Sequence, residues 1–148
     1  MRIEQVGEAD LADLLPMMRA YCDFYEVAPR DADLEGLARA LIADPDREGI
    51  QLLARADGGE PLGFATVFWS WQTLSAARVA VMNDLFVVPE ARKQGVGRAL
   101  IEECRRRARE RDAAELVWEA ALDNETAQRL YRSVDARELR WLSYSLEV

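Results

Sequence analysis

The chain reads as an α/β protein built on one mixed, mostly antiparallel sheet flanked by helices. Three observations predict this. Two strand-like runs, residues 50–56 and 61–71, flank Asp57-Gly58-Gly59, a hairpin turn signal. From residue 85 to 120 the apolar period switches from two to 3.6 and back, as a strand–helix–strand crossover requires. Helical stripes fill the stretch ahead of the hairpin, so the helices do not all lie on one side of the sheet in sequence order.

Taken in order, residues 2–6 suit a short first strand. From Asp10 the apolar residues Leu11, Leu14, Leu15, Met18, Cys22 and Tyr25 form a helical stripe. Pro16 interrupts it, so this helix either starts late, with Asp13 as its cap, or kinks at the proline. Leu34, Leu37, Ala38, Leu41 and Ile42 mark a second helix after Asp31 and Asp33, ended by Asp44-Pro45. Strands follow at 50–56, 61–71 and 78–88. Residues 95–111 form a long helix with Glu102 and Arg106 at i,i+4 spacing and arginines in its last turns, where the helix dipole favours them. Residues 114–120 read as a strand, 124–134 as a helix with Ala127, Leu130 and Tyr131 on one side, and 139–148 as a final strand. The order is β-α-α-β-β-β-α-β-α-β, one domain over residues 1–148.

Composition narrows the function. Nineteen Lys and Arg face 27 Asp and Glu, a formal charge of −8. That argues against nucleic acid or an anionic membrane as partner and is compatible with a cationic substrate, although acidity also serves solubility. There is no histidine, which removes the commonest general base and zinc ligand, and no metal is expected. Cys22 and Cys104 fall on helix faces and read as small core residues rather than a disulfide. With no signal-peptide pattern and no bilayer-length apolar run, a cytoplasmic protein is expected.

The most informative stretch is residues 83–100. Leu85, Phe86, Val87 and Val88 form an apolar run stopped by Pro89; after a polar turn, Gly95 and Gly97 open a segment with Val96, Leu100, Cys104 and Ala108 at helical spacing. A strand, a turn and a glycine-opened helix gather free backbone N–H groups at one point, which suits a phosphate or diphosphate. Glycine would let the anion approach, and Arg92 and Arg98 add charge. No Gly-Lys-Ser/Thr is present, Leu100 stands where a dinucleotide fingerprint needs a small residue, and no acidic ribose partner is evident. The remaining pattern, Arg92-x-x-Gly95-x-Gly97, resembles the coenzyme A pyrophosphate loop of the GNAT superfamily of N-acetyltransferases. Asn124-x-x-Ala127-x-x-x-Tyr131 resembles that family's second segment, and the element order is also the family's, so the resemblance spans nearly the whole chain. Within the family it looks most like the polyamine and histone-type branch.

The resemblance implies acetyl-CoA as cosubstrate. Amides of Gln94, Gly95, Val96, Gly97 and Arg98 would take the diphosphate. The strand of Leu85, Phe86 and Val87 would bond the pantetheine amides as an added strand does, splayed from the strand bearing Trp118, with the N–H of Leu85 the candidate to polarise the thioester. Arg92 and Lys93 either meet the adenosine phosphate or are solvated. Asn124 contacts the pantetheine arm or stabilises its helix start, with Ala127 in the same segment. Tyr131 would protonate the departing thiolate; a phenol of pKa about 10 is close enough to a thiol of about 8.5 for that transfer. For the base, Asp84, Glu119 or a water chain stay open. Asn83 stands where the branch often has an acid, and Asp135 where it usually has glycine. The acceptor would meet Tyr21, Asp23, Tyr25, Glu26, Trp69, Trp71 and Asn83, although Trp69 and Trp71 share a strand face and equally suit a core or a dimer contact. A small primary amine is expected, whether polyamine, amino acid or aminoglycoside-like. A protein lysine or N-terminal amine is the second reading, and a non-catalytic acyl-CoA-binding regulator the rival from another class. A homodimer is expected, because proteins of this kind are often dimers.

Overall fold

The computed structural model describes residues 1–148. Its elements are β1 (Arg2–Gln5), α1 (Leu11–Phe24), α2 (Asp31–Ala43), β2 (Gly49–Arg55), β3 (Pro61–Gln72), β4 (Ala77–Val87), α3 (Val96–Glu110), β5 (Glu115–Val117) and α4 (Glu125–Arg132). The strands lie in the order β1-β2-β3-β4-β5, antiparallel up to β4 and parallel between β4 and β5. This is the mixed, mostly antiparallel sheet the sequence predicts. No helix is long and apolar enough to cross a membrane.

Period-2 alternation splits the sheet between two cores. On one face α3 sets Leu100, Ile101 and Cys104 against Leu52, Ala65, Val67, Ala80 and Met82. On the other, Leu14, Met17, Met18 and Ala38 of α1 and α2 cover Leu53, Phe64 and Phe86. Both cysteines are free and buried, and burial pushes the Cys104 thiol up to about 12. Arg55 ties α1 to the hairpin: its guanidinium donates to Asp10 at 2.8 Å, Asp13 at 2.6 Å and the Gly59 carbonyl at 3.0 Å.

Several details depart from expectation. A 3-10 turn at Glu8–Asp10 feeds straight into α1, so the helix starts at Leu11 rather than at Asp13 and runs through Pro16. Only the one bond that the proline nitrogen would have given to Ala12 is lost. Arg106 pairs with Glu103 at 2.5 Å and with Glu110, while Glu102 lies 3.7 Å from Arg105. β5 covers three residues instead of the expected 114–120. Residues 139–148 form no strand, and the sheet ends at β5.

One irregularity positions the site. Thr66 is opposite Asp84 but Val67 is opposite Met82, so Asn83 is an extra, bulged residue. The bulge shifts the phase of β4: Asp84 faces the α1 side with Phe86, whereas Met82 and Ala80 face α3. β5 pairs only with Val79, Ala80 and Val81, so beyond the bulge β4 runs on with that flank free of any strand.

Candidate active site

At the end of β4 the chain turns through Pro89–Ala91 and passes Lys93 (φ 61°) and Gly95 (φ 85°) into α3. The first bond of that turn runs from the Ala99 N–H to the Gly95 carbonyl at 3.0 Å. The amides of Val96, Gly97 and Arg98 precede it and have no intrahelical acceptor, and no side chain caps them. Beside the anion clearance expected of them, the two glycines have separate conformational and packing reasons. A Cβ on Gly95 would meet nothing within 4 Å, so glycine is required there by its left-handed backbone. A Cβ on Gly97 would lie 2.8 Å from the end of the Leu130 side chain, so glycine lets α4 pack directly on α3 without displacing it.

The neighbouring side chains turn away from this corner. Arg92 Nε donates to the Val87 carbonyl at 3.2 Å, Gln94 Nε2 to the Glu90 carbonyl at 2.8 Å, and Arg98 to the Ser133 carbonyl at 2.6 Å, which caps the end of α4. Lys93 is exposed. The corner is therefore a main-chain site, with the arginines bracing its walls. The bond from Arg92 also shows that the Val87 carbonyl points away from β3. By the two-residue alternation of an antiparallel ladder, the N–H and C=O of Leu85 point the same way, into the gap between β4 and β5, while Phe86 faces the α1 core.

Across that gap lie the titratable groups. Asp84 accepts a hydrogen bond from Asn83 Nδ2 at 3.0 Å. Burial raises its pKa above the ordinary carboxylate value, against the opposing effect of Thr66, Asn83 and Tyr21, which favour the ion. Tyr21 is half-buried against Phe64 and Phe86, and burial and the nearby Asp84 both push its pKa up. Tyr25 meets Tyr21 edge-on, with ring centroids 5.1 Å apart. Tyr131 meets Trp118 edge-on at 5.3 Å; burial raises its pKa, and Tyr25 adds to the rise. At neutral pH Tyr131 is a neutral phenol, the form able to give up a proton. Asn124 accepts the Ala127 N–H at 3.1 Å, the helix-start role of the two expected for it.

Two expected acceptor residues are not brought here. Trp69 packs on the α3 face, where its indole N–H donates to the Pro45 carbonyl at 2.8 Å and Arg111 stacks on its ring. Trp71 shares that face under Arg78. Their alternation correctly placed them together, but on the side away from Tyr21. Glu119 is exposed beyond the end of β5.

Two residues that the sequence reading missed support Asp84. Gln51 Nε2 donates to Thr66 Oγ1 at 3.2 Å, and both side chains are buried. Because the Thr66 oxygen accepts from Gln51, its single proton is directed toward Asp84. The available signal was a polar residue at an inward position of two otherwise apolar strands.

The GNAT acetyltransferase family model matches residues 14–135. The chain belongs to that family. It is 31% identical over 131 residues to an uncharacterized N-acetyltransferase, YhfO, of Bacillus subtilis, covering 88% of this chain and 86% of that protein. An aminoglycoside N(6')-acetyltransferase type 1 of Acinetobacter baumannii is 24% identical over 97% of this chain and 96% of its own length. The crystal structure of a probable acetyltransferase superposes with a TM-score of 0.87 at 31% identity, covering 100% of this chain and 98% of that one. This GNAT protein is an acetyl-CoA-dependent N-acetyltransferase, and acetylation of an amine is its reaction class. Its own geometry fits the cosubstrate: unbonded amides at the start of α3 match a diphosphate, and the strandless flank of β4 matches the amides of a pantetheine arm. No group of three or more potential metal ligands gathers anywhere in the chain.

Proposed function

We propose that the protein transfers the acetyl group directly to a primary amine of a small cationic molecule, a polyamine, an amino acid or an aminoglycoside-like compound. One observation carries this reading. A cleft of about 540 Å³ opens between the end of α1 and the start of α4, lined by Phe24, Tyr25, Glu26, Ala121, Asp123, Asn124, Glu125, Thr126 and Arg129. Two aromatic faces and three carboxylates against one arginine suit a compact, multiply charged amine. Tyr25 belongs both to this cleft and to the aromatic wall beside Tyr131, so an amine bound there is led toward the reacting end. The aminoglycoside acetyltransferase relative supports the same class.

In this reading the amides of Gln94, Gly95, Val96, Gly97 and Arg98 hold the diphosphate, Leu85 and Val87 hold the arm, and the Leu85 N–H polarises the acetyl carbonyl. Bound acetyl-CoA supplies the activated acyl group. Asp84, oriented by Thr66, Asn83 and Tyr21, accepts the proton that the amine must lose. Tyr131 supplies the proton that the departing sulfur takes up. Tyr21 and Tyr25 wall the amine, and Trp69 has no part in the acceptor site. The reading includes a cytoplasmic setting, with which two unpaired, buried cysteines are compatible.

The test is free-thiol release across a panel of polyamines, free amino acids, aminoglycosides and lysine peptides. The expected result is the highest kcat/KM with a small amine carrying at least two positive charges. A lysine peptide or protein N-terminus turned over faster than every small amine would replace this reading with protein acetylation.

A further inference from the structure

On the α1 side of the sheet one position that calls for an apolar residue holds an amide. Gln51 is 2% exposed, on the face that Met17, Met18, Leu53, Phe64 and Phe86 fill with apolar atoms. Its Nε2 donates to Thr66 Oγ1 at 3.2 Å and approaches Met18 Sδ at 3.6 Å, but its Oε1 meets no donor at all. A buried amide oxygen that has given up water for nothing costs stability. Leucine or methionine would fill the same space without that loss. A residue that breaks the local rule at a cost to the fold points to a functional demand.

The demand is visible in the register of the strands. Gln51 on β2 is the partner of Thr66 on β3, and Thr66 is the partner of Asp84 on β4, so three polar side chains cross three strands in one row. α1 lies over this row, with Met18 on Gln51 and Tyr21, three residues on, beside Asp84. Met18 decides which way the amide points. A thioether offers only lone pairs, so the NH2 end of Gln51 faces both Met18 and Thr66, and the oxygen faces away. With the amide reversed, Thr66 would give its proton to Gln51 and offer Asp84 only lone pairs, which suit a protonated carboxyl and repel an ionised one. The groups that face Asp84 are Thr66 from β3, Tyr21 from α1 and Asn83 from its own strand, and no basic side chain is among them. Burial presses Asp84 toward its protonated form, so the ion is held by the hydrogen bonds aimed at it.

We propose that Gln51 is a positioning residue that acts through Thr66: by fixing the direction of the Thr66 hydroxyl it keeps Asp84 ionised and ready to take the proton of the amine. This rests on Asp84 as the proton acceptor of the proposed reaction. Gln51 stands one side chain behind the reacting groups, and the stability lost at its unbonded oxygen is the counterpart of a base that works at neutral pH without a cation beside it.

The experiment follows the side-chain carboxyl carbon of Asp84 by NMR against pH in the whole protein, its signal assigned by its loss in Asp84→Asn, alongside the pH profile of kcat/KM. Gln51→Met keeps the length of the side chain and removes its donor. The Asp84 midpoint is then expected to rise by about one pH unit, roughly what one oriented hydrogen bond to an ion supplies, and the acid limb of kcat/KM should rise with it. Thr66→Val should raise the midpoint at least as far, and Thr66→Ser should leave it near that of the parent. Gln51→Met added to Thr66→Val should raise it no further, since no hydroxyl is left to direct. Gln51→Leu repeats the reading should the methionine variant fail to fold. A midpoint unmoved in the Gln51 variant, or moved equally with and without the Thr66 hydroxyl, would overturn the proposal. So would a kcat/KM lowered by one factor at every pH with the midpoint in place, which is the signature of packing alone. A midpoint that rises while the acid limb stays supports the role of Gln51 and removes instead the assignment of Asp84 as the base.

Discussion

α3 and α4 both border the cosubstrate site, yet they are built on opposite terms. α3 buries Val96, Gly97, Leu100, Ile101, Cys104 and Ala108, whereas α4 buries none of its eight residues. In the proposed reading the half that receives the diphosphate does so with main-chain amides, whose direction is fixed by the helix, and the helix is fixed by a closed core. The half that carries Tyr131 and the acceptor cleft works with side chains on a helix covered from one side only. Anchoring is therefore a property of the backbone and is insensitive to most side-chain changes, whereas the chemistry and the choice of amine depend on a few side chains and on whatever completes their packing.

The largest expected effect breaks the two halves apart. Tyr131→Phe keeps the edge-on contact with Trp118 and removes only the proton, so kcat should fall about 10²–10⁴-fold with acetyl-CoA affinity by calorimetry nearly unchanged. Parallel loss of both would mean that Tyr131 acts through packing. Asp84→Asn should lower kcat/KM by about 10²-fold, with the opposite sign on stability. Burial holds the Asp84 pKa above its unfolded value of about 3.9. The folded protein then binds that proton more tightly than the unfolded chain. The resulting stability is fully present below the unfolded pKa and is lost as pH rises through the folded one. At neutral pH the asparagine variant is thus expected to melt no lower than the parent, and the fall of Tm with rising pH above about 4 should flatten. A lower Tm for Asp84→Asn at pH 7 would show that the carboxylate stabilises the fold there.

This contrast also separates what the sequence made legible from what it did not. Gly95 and Gly97 marked the diphosphate corner because a glycine-opened helix after a strand is a local pattern. The reason for Gly97 lay in Leu130, 33 positions away, and no local pattern reports it. The side chain of Arg98 was read as charge for the ligand, but it closes the end of α4, a contact across 35 positions. Trp69 and Trp71 were legible as sharing a face with Ala65 and Val67; that α3 covers this face and α1 the other is set by the long-range packing, which no local pattern reports. Residues 139–148 were read as a strand because alternation is intrinsic to the segment, but a strand also needs an edge to pair with, and here the segment pairs with none. Tyr131 and Asn124 were singled out by the spacing of a family segment and Asp84 by its place on the strand, while Gln51 and Thr66 were hidden because they meet Asp84 only through side-chain hydrogen bonds across the sheet.

The smallest effect tests the seam where the two halves meet. Gly97→Ala places a methyl 2.8 Å from the end of the Leu130 side chain, so that side chain must turn aside or carry its helix with it, at a cost of up to about 1–3 kcal/mol. Because α3 is held by its core and α4 is not, the movement should fall on α4. Acetyl-CoA affinity should then change less than kcat, since the amides stay in place while Tyr131 moves with its helix. Gly97→Ala combined with Leu130→Ala removes the clash and should recover part of kcat, though not the packing that Leu130 supplies. If Gly97→Ala instead abolishes binding and leaves kcat intact, α3 is the element that yields, and the ranking of the two helices is reversed.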